Sequence, residues 1–382
     1  MYTIYANDNL IYSPDLVSDG LFITNPSFSK EVNKSGSCQF YIYPENPFYD
    51  KIEVLKTIIV VKEDDEEVWR GRVLKAEKNF DKRKSVQCEG VFSYFVDSII
   101  RPFKHTKTMP EQFRYIIEKH NEQIELWKQF EVGTIDVEDL YGSKEWEETS
   151  YKQTLDHLNG FLNDYGGYVT FGFNPSSGKN IISYVKNPGA ESSQVIEFGE
   201  NLLDLTETIN PTNVFTVIIP VAYDSNGNQI DIKPYNNNKD YIESAEGVAK
   251  YGQVVQEYTL TKDYANANDV ITDATKYLND NIKASTTIEV KALDLHLLNP
   301  SVRRLNVYDI IKVDSKPHGI NEQQMCSKIT IDMENPDNSD YVIGTIPTGI
   351  EDIIAKDTKK VSSTSSSGGG GSSLPDGDNV QY

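Results

Sequence analysis

Few residues of this 382-residue chain are of the types that do chemistry. The histidines are His105, His120, His157, His296 and His318, and the cysteines are Cys38, Cys88 and Cys326. No H-E-x-x-H, G-x-S-x-G or H-x-H spacing occurs, so zinc-peptidase and α/β-hydrolase readings gain no support. His157 falls on an amphipathic helix and His296 at the end of a strand, where a hydrogen-bonded structural histidine is the simpler reading. Cys326 and His318 could form a thiol–imidazole pair across a turn, but Cys326 sits in an alternating strand and reads as core. The widely spaced thiols, with no C-x-x-C pair, supply neither a disulfide framework nor a structural zinc site, and predict reduced cysteines. Asp224-Ser225-Asn226-Gly227-Asn228-Gln229-Ile230-Asp231 matches part of a calcium-loop pattern, without the closing Glu or flanking helices of an EF-hand. Its Asn-Gly is also a tight-hairpin signal. The run Glu63-Asp64-Asp65-Glu66-Glu67 reads as a solvated hairpin loop, because adjacent carboxylates on a turn point apart. Glycosidase-type pairs carry no specificity among 58 acidic residues. The expectation is therefore no catalytic, cofactor-binding or metal site, no cofactor, and no enzyme.

The elements that would position these residues fall into blocks. Residues 1–93 read as short strands (Tyr2 to Tyr5, Leu21 to Thr24, Gln39 to Tyr43, Thr57 to Val61) and two longer ones, Val68 to Ala76 and Ser85 to Phe92. This pattern predicts a small barrel or sandwich. Over 94–205 the period changes. Thr108-Met109-Pro110-Glu111 has capping-box spacing and opens a helix with Met109, Phe113, Ile116, Ile117 and Ile124 on its apolar face. A second helix is predicted from about Thr149 to Tyr165, with Tyr151, Leu155, Leu158 and Leu162 inward, ended by Gly166-Gly167. Strands Tyr168 to Phe173 and Asn180 to Val185 complete an α+β module. Strand-like segments at 206–235 and 286–346 predict a second β-barrel domain, with an α/β insertion at 236–285. Residues 347–382 read as a C-terminal helix and a Ser/Gly-rich flexible tail. The linker pattern ends close to Tyr382, which predicts either a truncated chain or relatives with a further domain there.

Length sets a prior of about two or three domains at roughly 150 residues each. Apolar residues make up only 38%, yet 23 Tyr and 15 Phe provide bulk for several small cores, which excludes disorder throughout. The net charge of −21 excludes adhesion to nucleic acid by counterion release, though an acidic wall would let DNA slide past. Met1 to Tyr5 reads as a strand rather than an export signal, and no run approaches the ~18 apolar residues of a membrane span. A soluble chain made in the host cytoplasm is expected.

One stretch is specific. Leu155 to Tyr168 (helix, then Gly-Gly), the strand ending Ile181-Ile182-Ser183-Tyr184-Val185, and Phe198-Gly199-Glu200-Asn201-Leu202-Leu203-Asp204 are followed by a strand ending Ile218-Ile219-Pro220-Val221. In this order they resemble the phage tail hub family, also called tail-associated lysin N-terminal domains or prophage endopeptidase tail proteins. Tyr251-Gly252, Ile288 to Leu295 and Ile311 to Gly319 extend the resemblance, which covers about residues 1–346. It implies a trimer at the distal end of a tail tube, each protomer giving two similar β-barrels whose ring adapts six-fold to three-fold symmetry. It also implies a tail tube or distal tail protein above, a fibre, spike or lysin below, and DNA or a tape-measure protein passing through the lumen. The setting would be a virion tail or a phage-tail-like particle such as a tailocin. The family's "endopeptidase" label finds no matching catalytic residues here. A cell-wall hydrolase (a peptidoglycan endopeptidase or tail lysin) with its site in the α+β module, and a glycan-binding adhesin suggested by the tyrosines, are the alternatives. The expected fold class is α+β and multidomain.

Overall fold

The computed structural model describes residues 1–137, 142–210, 214–225, 227–260, 264–281 and 285–344. The expected C-terminal helix and Ser/Gly-rich tail lie outside the described residues.

Period-2 alternation at the N-terminus becomes β1 (Tyr2–Ala6), β2 (Asn9–Tyr12), β3 (Ile23–Glu31), β4 (Ser37–Ile42), β5 (Ile58–Glu63), β6 (Glu66–Lys78) and β7 (Lys84–Gly90). The β1–β2 and β5–β6 turns place Asn7, Asp8, Asp64 and Asp65 at positive φ, the backbone hand that matches strand twist and that Asn and Asp tolerate. At Gly90 an added Cβ would lie 1.7 Å from the Ser35 carbonyl oxygen, so glycine alone lets β7 pass that turn.

The second block holds β8 (Ile99–Ile100), β9 (Phe103–Lys107), α1 (Met109–Asn121), β10 (Phe130–Ile135), β11 (Lys144–Glu148), β12 (Lys152–Gln153), α2 (Thr154–Tyr165), β13 (Tyr168–Asn174) and β14 (Lys179–Val185). The capping box forms as read: Glu111 N–H donates to Thr108 Oγ1 at 3.4 Å, and Thr108 N–H to Glu111 Oε2 at 2.8 Å. Helix α1 stops before Ile124, and α2 starts later than its periodicity implies. Lys152 and Gln153 pair with Ile100 and Ile99, which keeps the backbone extended to that point and leaves Tyr151 73% exposed. Gly166 closes α2 at φ +71°, donating to the Leu162 carbonyl at 2.8 Å. Phe95, Phe113, Phe130, Leu158 and Tyr184 form this block's core.

Next come β15 (Glu191–Glu197) and β16 (Leu202–Asn210), then β17 (Val217–Val221), β18 (Ile242–Glu243), α3 (Ala245–Tyr251), β19 (Val255–Thr259) and α4 (Ala267–Asn281). The β18-β17-β19 sheet and α4 enclose their own core of Phe215, Ile218, Val270, Ala274 and Leu278. The chain returns through β20 (Ser285–Ala292), β21 (Ile310–Ser315), β22 (Ile320–Asp332) and β23 (Asp340–Gly344). Strand β20 ends at Ala292, so His296, read as the end of a strand, falls instead on a 3-10 turn, Leu295–Leu297.

The fold is α+β and mostly β, but its two β units do not stand apart. They form one 13-stranded sheet ordered β16-β20-β23-β22-β3-β4-β7-β6-β5-β1-β2, with β15 joined through β21 to β22. The connection is β22, whose 13 residues are long enough to pair with β21 and β23 and also with β3, in register Ile329↔Lys30 and Ile331↔Phe28. One core runs through both halves, including Ile4, Phe40 and Val61 from the first and Ile288, Ile311 and Ile343 from the second.

Candidate functional site

The polar side chains of this protein gather where its parts meet. At the seam between the sheet halves, Glu63 ends β5 with only 4% exposure. Part of the acidic run is thus buried rather than solvated, because the Arg304 guanidinium ion-pairs with Glu63 from the far half. Asp294 aims that arm. Its Oδ1 accepts the His296 N–H at 2.9 Å and the Gln194 amide at 2.6 Å, and its Oδ2 accepts the Leu305 N–H at 3.0 Å. Three partners on one buried carboxylate fix the path from Asp294 to Leu305.

Glu63, Asp64 and His296 present ligand atoms within 4.8 Å of one another, the only such His/Cys/carboxylate group among the described residues. His296 Nδ1 lies 2.6 Å from the Val302 carbonyl and so carries the proton, which turns the Nε2 lone pair toward the carboxylates. That position is filled by protein: Arg304 Nη2 stands 3.2 Å from Nε2 while its Nη1 holds Glu63. The N-terminal ammonium sits 2.5 Å from Asp64 and holds its carboxyl below the usual range. Two carboxylates are matched by two fixed cations, so the donors form a closed ion-pair set rather than a metal cradle.

A second network joins the first sheet half to the α+β block. Arg72, 3% exposed, donates from Nε to Glu89 at 2.8 Å and from Nη2 to Asp97 at 3.0 Å, and Lys128 reaches Asp97 at 2.9 Å. Burial pushes the Asp97 carboxyl up, but hydrogen bonds from Arg72 and Lys128 and their charges outweigh it and hold the group below its ordinary value. Nearby, Asn33 at φ +55° behaves like a strand residue. Its amide donates to the Gly167 carbonyl at 3.1 Å, and its oxygen accepts the Val169 N–H at 2.9 Å. The Tyr308 hydroxyl donates to the Val169 carbonyl at 2.7 Å, so β3, β13 and the loop before β21 lock together at one point.

The remaining candidates lie elsewhere in the fold. Ser98 Oγ and His120 Nδ1 are 2.6 Å apart, the geometry of a nucleophile with its base. Both are buried, and neither lines the 870 Å³ cleft described below. His120 Nε2 faces the Lys128 carbonyl at 3.3 Å instead of a carboxylate, and burial lowers its pKa to about 4. His157 lies 3.5 Å from Glu148, its pKa lowered first by burial. His318 turns to Ser315 at 2.6 Å, while Cys326 is fully buried along β22, roughly 20 Å away at ~3.4 Å per residue, so they form no pair. Burial pushes the Cys326 thiol well above its ordinary value. Cys38 and Cys88 face each other across β4 and β7, buried and not joined by a disulfide. The Asp224 segment is a hairpin: Tyr223 bridges to Gln229, and the Asp224 carboxylate accepts the Asn228 N–H at 2.8 Å, with Asn226 outside the described residues. In Phe198 to Asp204, Asn201 is the working residue. It accepts the Glu197 N–H at 2.9 Å and donates to the Leu293 carbonyl at 3.2 Å, clamping β15 to the chain after β20.

A cleft of about 870 Å³ opens beside the joint, over the outer face of β1, β5 and β6 and against β13. Arg70 lies 3.6 Å from the Phe173 ring centroid and forks onto Glu67 at 2.8 and 2.6 Å, while Lys62 covers Tyr5 at 4.9 Å. Lys30 also lines it. Burial, reinforced by Arg304 and opposed by Glu63, brings its amine down to about 8. Sequence reasoning missed Lys30, Arg72 and Arg304, because each is defined by neighbours remote in the chain.

Comparison with known proteins adds a family match and a shared fold. Residues 173–354 match the family described as prophage endopeptidase tail. No curated protein matches the sequence. Among solved structures, the prophage tail protein gp18 of Listeria monocytogenes EGD-e is 15% identical over 88% of this chain and 93% of its own, with a TM-score of 0.55. The 43 kDa tail protein of prophage MuSo2 from Shewanella oneidensis is 12% identical over 90% and 97%, at 0.60. The tail protein of Neisseria meningitidis MC58 is 11% identical over 90% and 96%, at 0.61. The resemblance carried by the motif residues is thereby shown: residues 173–354 carry the prophage endopeptidase tail pattern, and the fold is one that solved prophage tail proteins share.

Proposed function

We infer that this chain is a structural hub of a phage tail or phage-tail-like particle. It works as a trimeric ring at the distal end of the tail tube, with no reaction of its own. The observation that carries this reading is the fold, shared with prophage tail proteins over most of the chain. In this reading the two halves of the continuous sheet are the two barrel-like units of each protomer. A ring of such pairs presents six similar surfaces to the tube and three-fold symmetry below. The seam and the Arg72–Asp97 network support it, since an adaptor must hold its parts at fixed angles while force passes through. The net charge of −21 suits a lumen that DNA or a tape-measure protein traverses without sticking. Light scattering coupled to gel filtration tests it: a species at three times the 43.2 kDa chain mass is expected, and a monomer at every concentration opposes it.

The alternative is a peptidoglycan endopeptidase, supported by the description of the matched family and by the contact between Ser98 and His120. A cell-wall zymogram of the wild type and Ser98→Ala decides: clearing that Ser98→Ala abolishes would replace the hub reading.

A further inference from the structure

Two of the three cysteines stand directly opposite each other. Cys38 on β4 pairs with Cys88 on β7, in an unbroken antiparallel register that runs from Ser37↔Glu89 to Ile42↔Lys84. One step beyond Ser37, the Gly90 N–H donates to the Gly36 carbonyl at 3.3 Å, so counting in twos along the ladder makes Cys38–Cys88 a hydrogen-bonded pair. Such a pair sets its Cα atoms ~5.5 Å apart with both Cβ atoms on one face, and a disulfide spans Cα separations of roughly 4.4–6.8 Å. Both side chains enter the core, 1% and 4% exposed. The thiols also touch: burial, and after it a hydrogen bond to Cys38, pushes the Cys88 thiol well above its ordinary value. Cys326, by contrast, turns its Sγ to the Lys328 carbonyl at 3.5 Å.

What two facing thiols add to packing is a bond that can be made and broken. The pair lies second from the end of its ladder, where Ser37↔Glu89 and then the Gly36–Gly90 contact close the strands. Fraying of that end uncovers the sulfurs without unfolding the sheet. The place also bears on both joints. β4 leads through β3 to β22 and the far half of the sheet, while Glu89, next to Cys88, accepts from Arg72 at 2.8 Å, and Arg72 reaches Asp97 of the α+β block at 3.0 Å. A covalent link between Cys38 and Cys88 fastens these two attachments to each other.

We propose that Cys38 and Cys88 form a redox pair, which closes to a cross-strand disulfide when a small-molecule disulfide such as oxidised glutathione is in excess and reopens when thiol is. The inference goes beyond the hub reading and does not depend on it. One thiolate attacks a sulfur of the small disulfide, giving a mixed disulfide and releasing one thiol; the facing thiolate then attacks the protein sulfur of that intermediate and releases the second. The protein gives up two electrons and two protons, and the small disulfide takes up both. Burial of the thiols makes the exchange wait on fraying of the ladder, so the test is run to equilibrium. The full chain is unfolded in urea with its cysteines reduced, and refolded by dilution into glutathione buffers spanning a wide range of oxidised-to-reduced ratios. It is then quenched with acid, alkylated under denaturing conditions and mapped by peptide mass. In excess reduced glutathione all three cysteines are alkylated; in excess oxidised glutathione the Cys38 and Cys88 peptides are joined and Cys326 stays alkylatable. The oxidised chain melts about 5 °C higher, because closing the loop of residues 38–88 restricts the unfolded state. Cys326→Ala behaves as wild type, and Cys38→Ala forms no internal bond and melts alike in both buffers. Should Cys38→Ala fail to fold, the peptide map of the wild type decides alone. Glutathione adducts without a Cys38–Cys88 bond at every ratio, a bond to Cys326 instead, or a Cys38–Cys88 bond that lowers the melting temperature would each overturn the proposal.

Discussion

Lys30 gives the sharpest test of the seam. Its amine is crowded between the sheet halves, Arg304 is close by, and no hydrogen bond or ion pair holds it among the described residues. Folding thus drives an ammonium toward low dielectric, mainly through burial and further through repulsion from Arg304, with Glu63 opposing. The folded amine titrates at about 8 against an ordinary 10.5. At 1.36 kcal/mol per unit, that gap is a penalty of up to ~3 kcal/mol, and solvent still reaching the half-buried side chain reduces it to ~2. The direction in pH follows from linkage. Between about 8 and 10.5 the folded amine is neutral while the unfolded one is still charged. The unfolded state binds the extra proton, so stability falls as pH falls across that window and levels off below it. Lys30→Met keeps the stem and removes the charge. It should be more stable than wild type by ~2 kcal/mol at pH 7, with the advantage vanishing toward the upper end of the window. Urea titrations at closely spaced pH values from 6.5 to 10.5, followed by circular dichroism and tryptophan fluorescence, read the difference directly. Subtraction removes the groups that both proteins share, Lys84 among them, which burial also lowers. A Lys30→Met protein less stable than wild type at pH 7, or a difference that does not change with pH, would show that the ammonium is welcome at the seam and the argument wrong.

Other parts of the joint give their own readings. Arg72→Ala strips Asp97 and Glu89 of their shared cation, and the loss should be ~3 kcal/mol, the lower end for breaking a buried pair, since both carboxylates keep some solvent. The melting temperature should drop by several degrees, and an unchanged one counts against the network. Asn33→Ala removes the bonds to Gly167 and Val169 and should cost ~2 kcal/mol; proteolysis would then cut between the sheet and the α+β block sooner than in wild type. His120 is neutral when folded down to about 4 but charges near 6.5 when unfolded, so stability should fall by up to ~3 kcal/mol as pH drops through that interval. His120→Gln should flatten most of that slope, with the remainder owed to His157, and an undiminished slope refutes the assignment. The Asp97 contribution, from a lowered carboxyl, is lost only at lower pH, as the folded group is finally protonated.

What was legible in the sequence was local. Thr108 and Glu111 announce a helix start because both halves of the capping box lie within one turn, and Gly166 announces its partner's end because only the backbone hand at that residue matters. The hairpin at Asp224 was readable for the same reason. The motif Phe198 to Asp204 gave the family resemblance before its physical work was visible, and Asn201 turns out to clamp backbone rather than touch a substrate. What stayed hidden depends on partners far along the chain. Five adjacent acids look solvated until Arg304, 241 positions from Glu63, is seen to bury one of them. That the two β units share one sheet through the pairing of β22 with β3 could not be read, because strand register between segments so far apart in the chain leaves no local trace.

That division has a consequence for how the protein works. The local signals build each block separately, whereas the distant ones, Glu63–Arg304, Arg72–Asp97 and Asn33–Val169, sit only where blocks meet. Charges and amides at such places are poor sources of net stability, because desolvation takes back most of what pairing gives. They are good sources of geometry, since a forked guanidinium or a two-point amide accepts one orientation and rejects its neighbours. A chain that places its buried ionic groups at the joints between its parts fixes the angles at which those parts meet.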